Sequence, residues 1–111
     1  MSVESLILGA TEEAQALLDE LYRKTPERAP GSALDQAGLR DGVSVVRDYL
    51  EHGEAGLAFE HLIYMIIEPR LQLTEESCRR IRKAGQALGL AESVYSEACG
   101  LTSDRDRSQG I

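Results

Sequence analysis

The chain has 111 residues, 42% hydrophobic and 28% charged, which suits one folded domain burying roughly two thirds of its unfolded surface and argues against wholesale disorder. With 19 acidic residues against 12 basic ones the formal charge is -7, a balance that repels nucleic-acid phosphates and attracts a basic protein partner, although it serves solubility equally well. Two cysteines exclude a disulfide framework and fit a reducing compartment, and no apolar run reaches the roughly 18 residues of a membrane span, so a cytoplasmic protein is expected.

The first stretch, "MSVESLILGATEEA", has no basic region and only three consecutive apolar residues, Leu6, Ile7 and Leu8, so no signal peptide is expected. In "TEEAQALLDELYRK", Ala14, Leu17, Leu18 and Leu21 recur at intervals of three and four, with Ala10 and Leu6 one and two turns earlier. This predicts an amphipathic helix. It either starts at Thr11 as N-cap, with Glu12 and Glu13 in its first turn, or belongs to one longer helix with Gly9 as a kink. "TPERAPGSALDQAG" breaks the pattern with Pro26, Pro30 and Gly31 and reads as a loop with a helical turn near Leu34.

From Leu39 onward, Val43, Val46, Tyr49 and Leu50 form one stripe while Ser44, Arg47, Asp48 and Glu51 fall opposite, a second helix that Gly53 ends. A third helix runs from about Glu54 to Glu68 and is closed by Pro69, because the residue before a proline is steered out of the helical region. Its residues Ala58, Phe59, Leu62, Ile63, Met65, Ile66 and Ile67 cover more than half the circumference, leaving Leu57, Glu60, His61, Tyr64 and Glu68 on the remainder. It is therefore expected to be the central, most buried helix. Thr74 caps a fourth helix with Glu75 and Glu76 in its first turn, Ser77, Ile81, Ala84 and Leu88 on one face, and Arg79, Arg80, Arg82 and Lys83 outside it.

Gly89 ends the fourth helix, and "AESVYSEACG" has room for a short fifth one. The polar tail 102–111 lacks periodicity and is expected to be disordered. The fold class is all-α, a compact bundle of four to five helices forming a single domain over residues 1–101. Its expected core includes Leu17, Leu21, Val43, Val46, Leu50, Phe59, Leu62, Ile63, Ile66, Ile81 and Leu88.

The stretch "EHGEAGLAFEHL", residues 51–62, holds both histidines and three of the glutamates around a glycine bend. His52 and His61 are nine residues apart, which matches no compact metal motif, so neither metal nor cofactor is expected and both histidines read as structural. Glu54 and Glu60, six residues apart on one helix, point in directions differing by about 120° and do not face one substrate unaided. Glu54 reads as a helix-start residue and Glu60 as one that hydrogen-bonds across to a neighbouring helix. "EESCRR" and "EACG" resemble no nucleophile elbow or cysteine-protease signature, and no phosphate loop is present, so no catalytic residue is assigned and a non-enzymatic protein is expected. Cys78 and Cys99 read as core or surface thiols, with a single disulfide open to them. The run "RRIRK" reads as a solvated face offset by Glu75 and Glu76.

Residues 45–90, "VVRDYLEHGEAGLAFEHLIYMIIEPRLQLTEESCRRIRKAGQALGL", resemble the helical bacterial immunity proteins of the MafI type and their relatives paired with contact-dependent toxins. The pattern that carries the resemblance is an amphipathic helix ending in "HGE", then "GLAFEHL", a proline-bearing break and an "LT" opening of another helix. The resemblance implies a non-enzymatic inhibitor that binds a cognate toxin domain, often a nuclease, inside the producing cell, while the acidic balance and the short apolar runs speak for neither nucleic acid nor membrane as a partner. An acidic helical body can occupy such a toxin's basic cleft as a phosphate mimic. The candidate contact residues are Asp48, Glu51, Glu54 and Glu60 around the bend, with Tyr49 and Tyr64 as aromatic anchors. The alternative is a helical scaffold or homodimerisation module without a toxin partner, and the sequence leaves monomer and homodimer both open.

Overall fold

The computed structural model describes residues 2–25, 34 and 36–100. Among these, α1 spans Val3–Lys24, α2 Gly42–Glu51, α3 Ala55–Ile67 and α4 Glu75–Ala87, followed by a 3-10 turn at Glu92–Val94 and a further helical stretch at 96–100. No strand occurs among the described residues, and the helices share one core, so the fold is an all-α bundle as the periodicity predicts. Most of the expected loop before α2 and the whole of the tail expected to be disordered lie outside the described residues.

The first helix is the longer of the two foreseen. Ser2 caps it, its hydroxyl accepting the Ser5 N–H at 3.0 Å, and the helix continues through Gly9. Thr11 is not a cap: it is fully buried, and its hydroxyl donates to the Ile7 carbonyl at 2.7 Å, the bond back along the helix that satisfies a threonine inside a core. Six residues of α1 are buried, Leu6, Ile7, Ala10, Thr11, Ala14 and Leu18. Three of them are small, and neighbouring helices can approach that face closely.

The third helix is the most buried of the four, with six of its 13 residues inside, as expected, but the stripe on α1 corrects the expectation about the centre of the bundle. The apolar helix α3 buries Ala58, Phe59, Leu62, Ile63, Met65 and Ile66, but it packs chiefly against α1 and α2. The element that packs against all three other helices is α1. Contacts fix the directions. Arg47 of α2 pairs with Glu12 at 3.5 Å while Val43 of α2 lies against Gln15, so α2 runs antiparallel to α1. Arg80 packs on Gly9 while Thr74 bonds Glu13, so α4 does too.

Of the expected core, Leu17, Leu21, Val43, Leu50 and Leu88 are only partly buried, because they lie at the edges of their stripes. Leu39, Leu71, Leu73 and Tyr95 are buried although they sit in connections, where no helical period marks them.

Three helices end with the same pair of backbone bonds. After α2, Gly53 N–H donates to Leu50 O at 3.1 Å and Glu54 N–H to Tyr49 O at 2.8 Å, with Gly53 at φ 74°. After α4, Gly89 and Leu90 repeat the pattern onto Gln86 and Gly85, with Gly89 at φ 74°. After α3 the left-handed position falls on Arg70, at φ 58°, whose N–H meets Ile67 O while Leu71 N–H meets Ile66 O. Glu68, before Pro69, keeps right-handed helical angles, so the turn at Arg70 ends α3 and the proline does not.

Gly85 is required for a different reason, the close approach of an aromatic ring. A Cβ there would stand 2.5 Å from Cε1 of Tyr95, and the buried Tyr95 ring meets Phe59 edge-on at 6.0 Å. An alanine at this mid-helix position gains about 1 kcal/mol in helix propensity but displaces a rigid ring, at about 1–3 kcal/mol. Gly85→Ala is therefore expected to lower stability in urea denaturation, and an unchanged or raised midpoint would contradict the Tyr95 packing.

Candidate functional site

The bend between α2 and α3 gathers charge because its geometry is fixed by the backbone. Gly53 turns the chain without strain, His52 and Glu54 flank it, and all three are exposed. His52 donates from Nδ1 to the Asp48 carbonyl at 2.8 Å and lies 3.6 Å from the Asp48 carboxylate. The bond to that carbonyl, followed by the negative charge of Asp48, raises the His52 pKa above its ordinary value of 6.5 against the opposing effect of desolvation, and Glu51 and Glu54 add to the rise. The structure thus brings Asp48, Glu51 and Glu54 together around one imidazole. Glu60 is exposed on the outer side of α3, a turn and a half further on. It makes no hydrogen bond to a neighbouring helix among the described residues, contrary to expectation.

Between these acids sits Leu57, 43% exposed, one of two large hydrophobic residues left open to solvent among the described residues. On a helix it neighbours Glu54 and Glu60 at three-residue spacing, so an apolar spot lies inside an acidic rim. None of Asp48, Glu51, Glu54 and Glu60 is paired with a lysine or arginine among the described residues.

The two candidate tyrosines have other work. Tyr49 is half-buried against the core. Tyr64 donates its hydroxyl to Ala37 O at 2.8 Å, and His61 donates from Nε2 to Gly38 O at 3.0 Å, so the two tie α3 to the connection before α2. Gly38, at φ 83°, leaves the space for that imidazole: a Cβ would stand 2.7 Å from its Cε1. Tyr64 is a tether and not a free anchor. Its pKa is raised, first by desolvation and then by Glu68 and Tyr22.

Two polar residues of α1 hold neighbouring helices in roles that helical spacing does not reveal. Glu13 accepts the Thr74 N–H at 2.9 Å on one oxygen, and on the other the Thr74 hydroxyl at 2.9 Å and the Ser77 hydroxyl. It thereby caps α4 from another helix, alongside the expected cap in which Thr74 accepts the Ser77 N–H at 3.3 Å. Gln15 does the same for α2, accepting the Val43 N–H at 3.1 Å and donating to Leu39 O at 3.2 Å, while the N-cap Asp41 makes no side-chain capping bond.

Nothing gathers elsewhere into a metal centre: among the described residues no group of three His, Cys, Asp or Glu could hold an ion. Arg79, Arg82 and Lys83 are exposed on α4, and Arg80 is held by Glu76 at 2.8 Å. No described helix is long and apolar enough to cross a membrane.

No family model, curated protein or solved structure matches this chain.

Two outcomes follow from the titrating groups. Desolvation pushes the Glu13 carboxyl up, but the bonds from Ser77 and Thr74 and the charge of Arg80 outweigh it and hold its pKa below 4.5. A carboxylate depressed on folding stabilises above its unfolded value, and that stability is lost as pH falls through the depressed one. Because the site is partly exposed, Glu13→Gln should cost about 1 kcal/mol at neutral pH, the low end for a charged hydrogen-bond set. The gap to wild type should close as pH drops below 4.5, and urea midpoints across pH 3–7 measure it. His52 has the opposite sign, since its raised pKa contributes at low pH and is lost as pH rises. In a proton NMR titration it should titrate above 6.5, and Asp48→Asn should bring it part of the way back while the carbonyl bond remains.

Proposed function

We propose that the protein acts by binding a basic protein partner at the α2–α3 bend, as an immunity protein that occludes the substrate cleft of a cognate toxin domain. The observation that supports this most is the placement of exposed Leu57 within an acidic rim whose carboxylates have no lysine or arginine partner among the described residues, the one imidazole beside them being that of His52. An apolar centre gives residence time once water is excluded, and an unneutralised acidic rim accelerates encounter with a cationic cleft. The likeness of residues 45–90 to the MafI type gives that partner its class, a toxin domain and often a nuclease, whose phosphate-binding cleft would be cationic.

The bend suits this use because it is held from within. The Gly53 turn and the His61 and Tyr64 tethers fix the separation of the acids before a partner arrives, which lowers the entropy lost on binding. Pairing of two copies through α3 has less behind it, since the large apolar side chains of that helix other than Leu57 are buried or partly buried inside the bundle.

Co-expression with candidate toxin domains, scored by growth, tests the proposal. The wild type should rescue growth against one of them. In the purified pair, Glu51→Lys with Glu54→Lys should slow association about tenfold or more at low salt, with a smaller difference at high salt, and Leu57→Ala should mainly speed dissociation. Glu97→Lys, an exposed reversal outside the bend, serves as control. Equal effects of the two reversals would remove the bend from the interface, and a homodimer that rescues against no toxin domain would favour the scaffold.

A further inference from the structure

The two thiols take no part in the bend, and both are buried at 4% exposure. Cys78 lies one turn inside α4, and Cys99 lies on the helical stretch 96–100. The Cys99 Sγ donates to the Cys78 carbonyl oxygen at 3.7 Å, across 21 residues of sequence. Burial, and then a hydrogen bond with the Cys78 side chain, push the Cys99 thiol up to about 12. The chain between them folds back as a unit, since Tyr95 covers Gly85 of α4 and meets Phe59, with Ala98 buried beside it.

Two buried thiols, one with its sulfur 3.7 Å from the backbone carbonyl of the other residue, have one chemistry open to them that a single thiol lacks. We infer that Cys78 and Cys99 are a modification site, closing into a reversible internal disulfide by exchange with a small disulfide of the oxidised-glutathione class and so fastening residues 96–100 to α4. In the first step one protein thiolate attacks a sulfur of the external disulfide, whose S–S bond breaks and releases one thiolate. In the second, the other protein thiol loses its proton and attacks the protein sulfur of the mixed disulfide, expelling the second thiolate. The two protein thiols lose two electrons and two protons in all, and the external disulfide becomes two free thiols.

Burial sets the rate. The closed form keeps both sulfurs from solvent, so exchange follows brief opening of the 95–100 segment, and the thiols survive in a reducing milieu until the poise shifts. Once formed, the bond removes freedom from the unfolded chain and holds the C-terminal stretch on α4.

The experiment uses the full chain under native conditions. Reduced protein is incubated with oxidised glutathione at pH 8 without denaturant, and its intact mass and melting curve are followed. The expected product is a monomer lighter by two hydrogens, with Tm raised by on the order of 10 °C and both changes reversed by dithiothreitol. Cys78→Ser and Cys99→Ser should not give that mass, ending instead with one bound glutathione or none. The inference is overturned if the two-hydrogen loss occurs only in denaturant, if intermolecular dimers form instead, or if the oxidised monomer melts at or below the reduced one. Because the readout is the unaltered chain's own mass and melting, misfolding of a cysteine variant does not obscure it.

Discussion

The structure depends on α1 supplying polar caps to its neighbours as well as an apolar stripe. A helix N-terminus leaves backbone N–H groups without partners, and an uncapped end placed against a core is costly. Here α2 begins behind Asp41, which makes no capping bond, and α4 begins at a threonine whose own N–H points toward Glu13 of α1. Glu13 and Gln15, two residues apart on α1, answer both needs. One helix therefore sets the axial position of two others. The small side chains of its buried face let them come close, and its carboxyl and amide fix where along the axis they stop.

The bend follows from that placement. With the start of α2 held at Gln15 and its direction set antiparallel to α1, the helix ends where Gly53 turns it, and α3 returns along the bundle. Met65 of α3 then reaches the start of α2, where Gly42 has no side chain to obstruct it: a Cβ there would stand 2.4 Å from the Met65 Cε. Asp48, Glu51 and Glu54 are outward because Val46, Ala58 and Phe59 on the same two helices are inward.

What was legible in the sequence was local, and what was hidden was long-range. The periods of α1 to α4, the Thr74 cap and the turns at Gly53 and Gly89 all rest on residues within a few positions of one another, and each reads directly. Arg70 was hidden because nothing about an arginine announces a left-handed angle, and the adjacent Pro69 offered a simpler reason for α3 to end. Glu13 bonds residues 61 and 64 positions away, so its role has no trace in helical spacing, and the first-turn position it was given belonged to a helix start that is not used. The same limit shaped the reading of the site. The exposure of the acids and the outward position of Leu57 followed from the helical wheel. Tyr64, by contrast, passed for an anchor because its partner, the Ala37 carbonyl, lies in an aperiodic connection.

The distribution of cations completes the argument about the bend. The chain concentrates four of its basic residues in Arg79, Arg80, Arg82 and Lys83, yet these do not neutralise the acids of α2 and α3. They sit on α4, which packs chiefly on α1, so the body of α1 stands between them and the bend. A helix with its side chains is about 10 Å across, and at physiological ionic strength charge is screened over about 8 Å, so the attraction between the two groups is weak. Arg47, the cation nearest in sequence to the bend, is committed to Glu12. The packing of α4 on α1 thus leaves the acids of the bend without a lysine or arginine pair among the described residues.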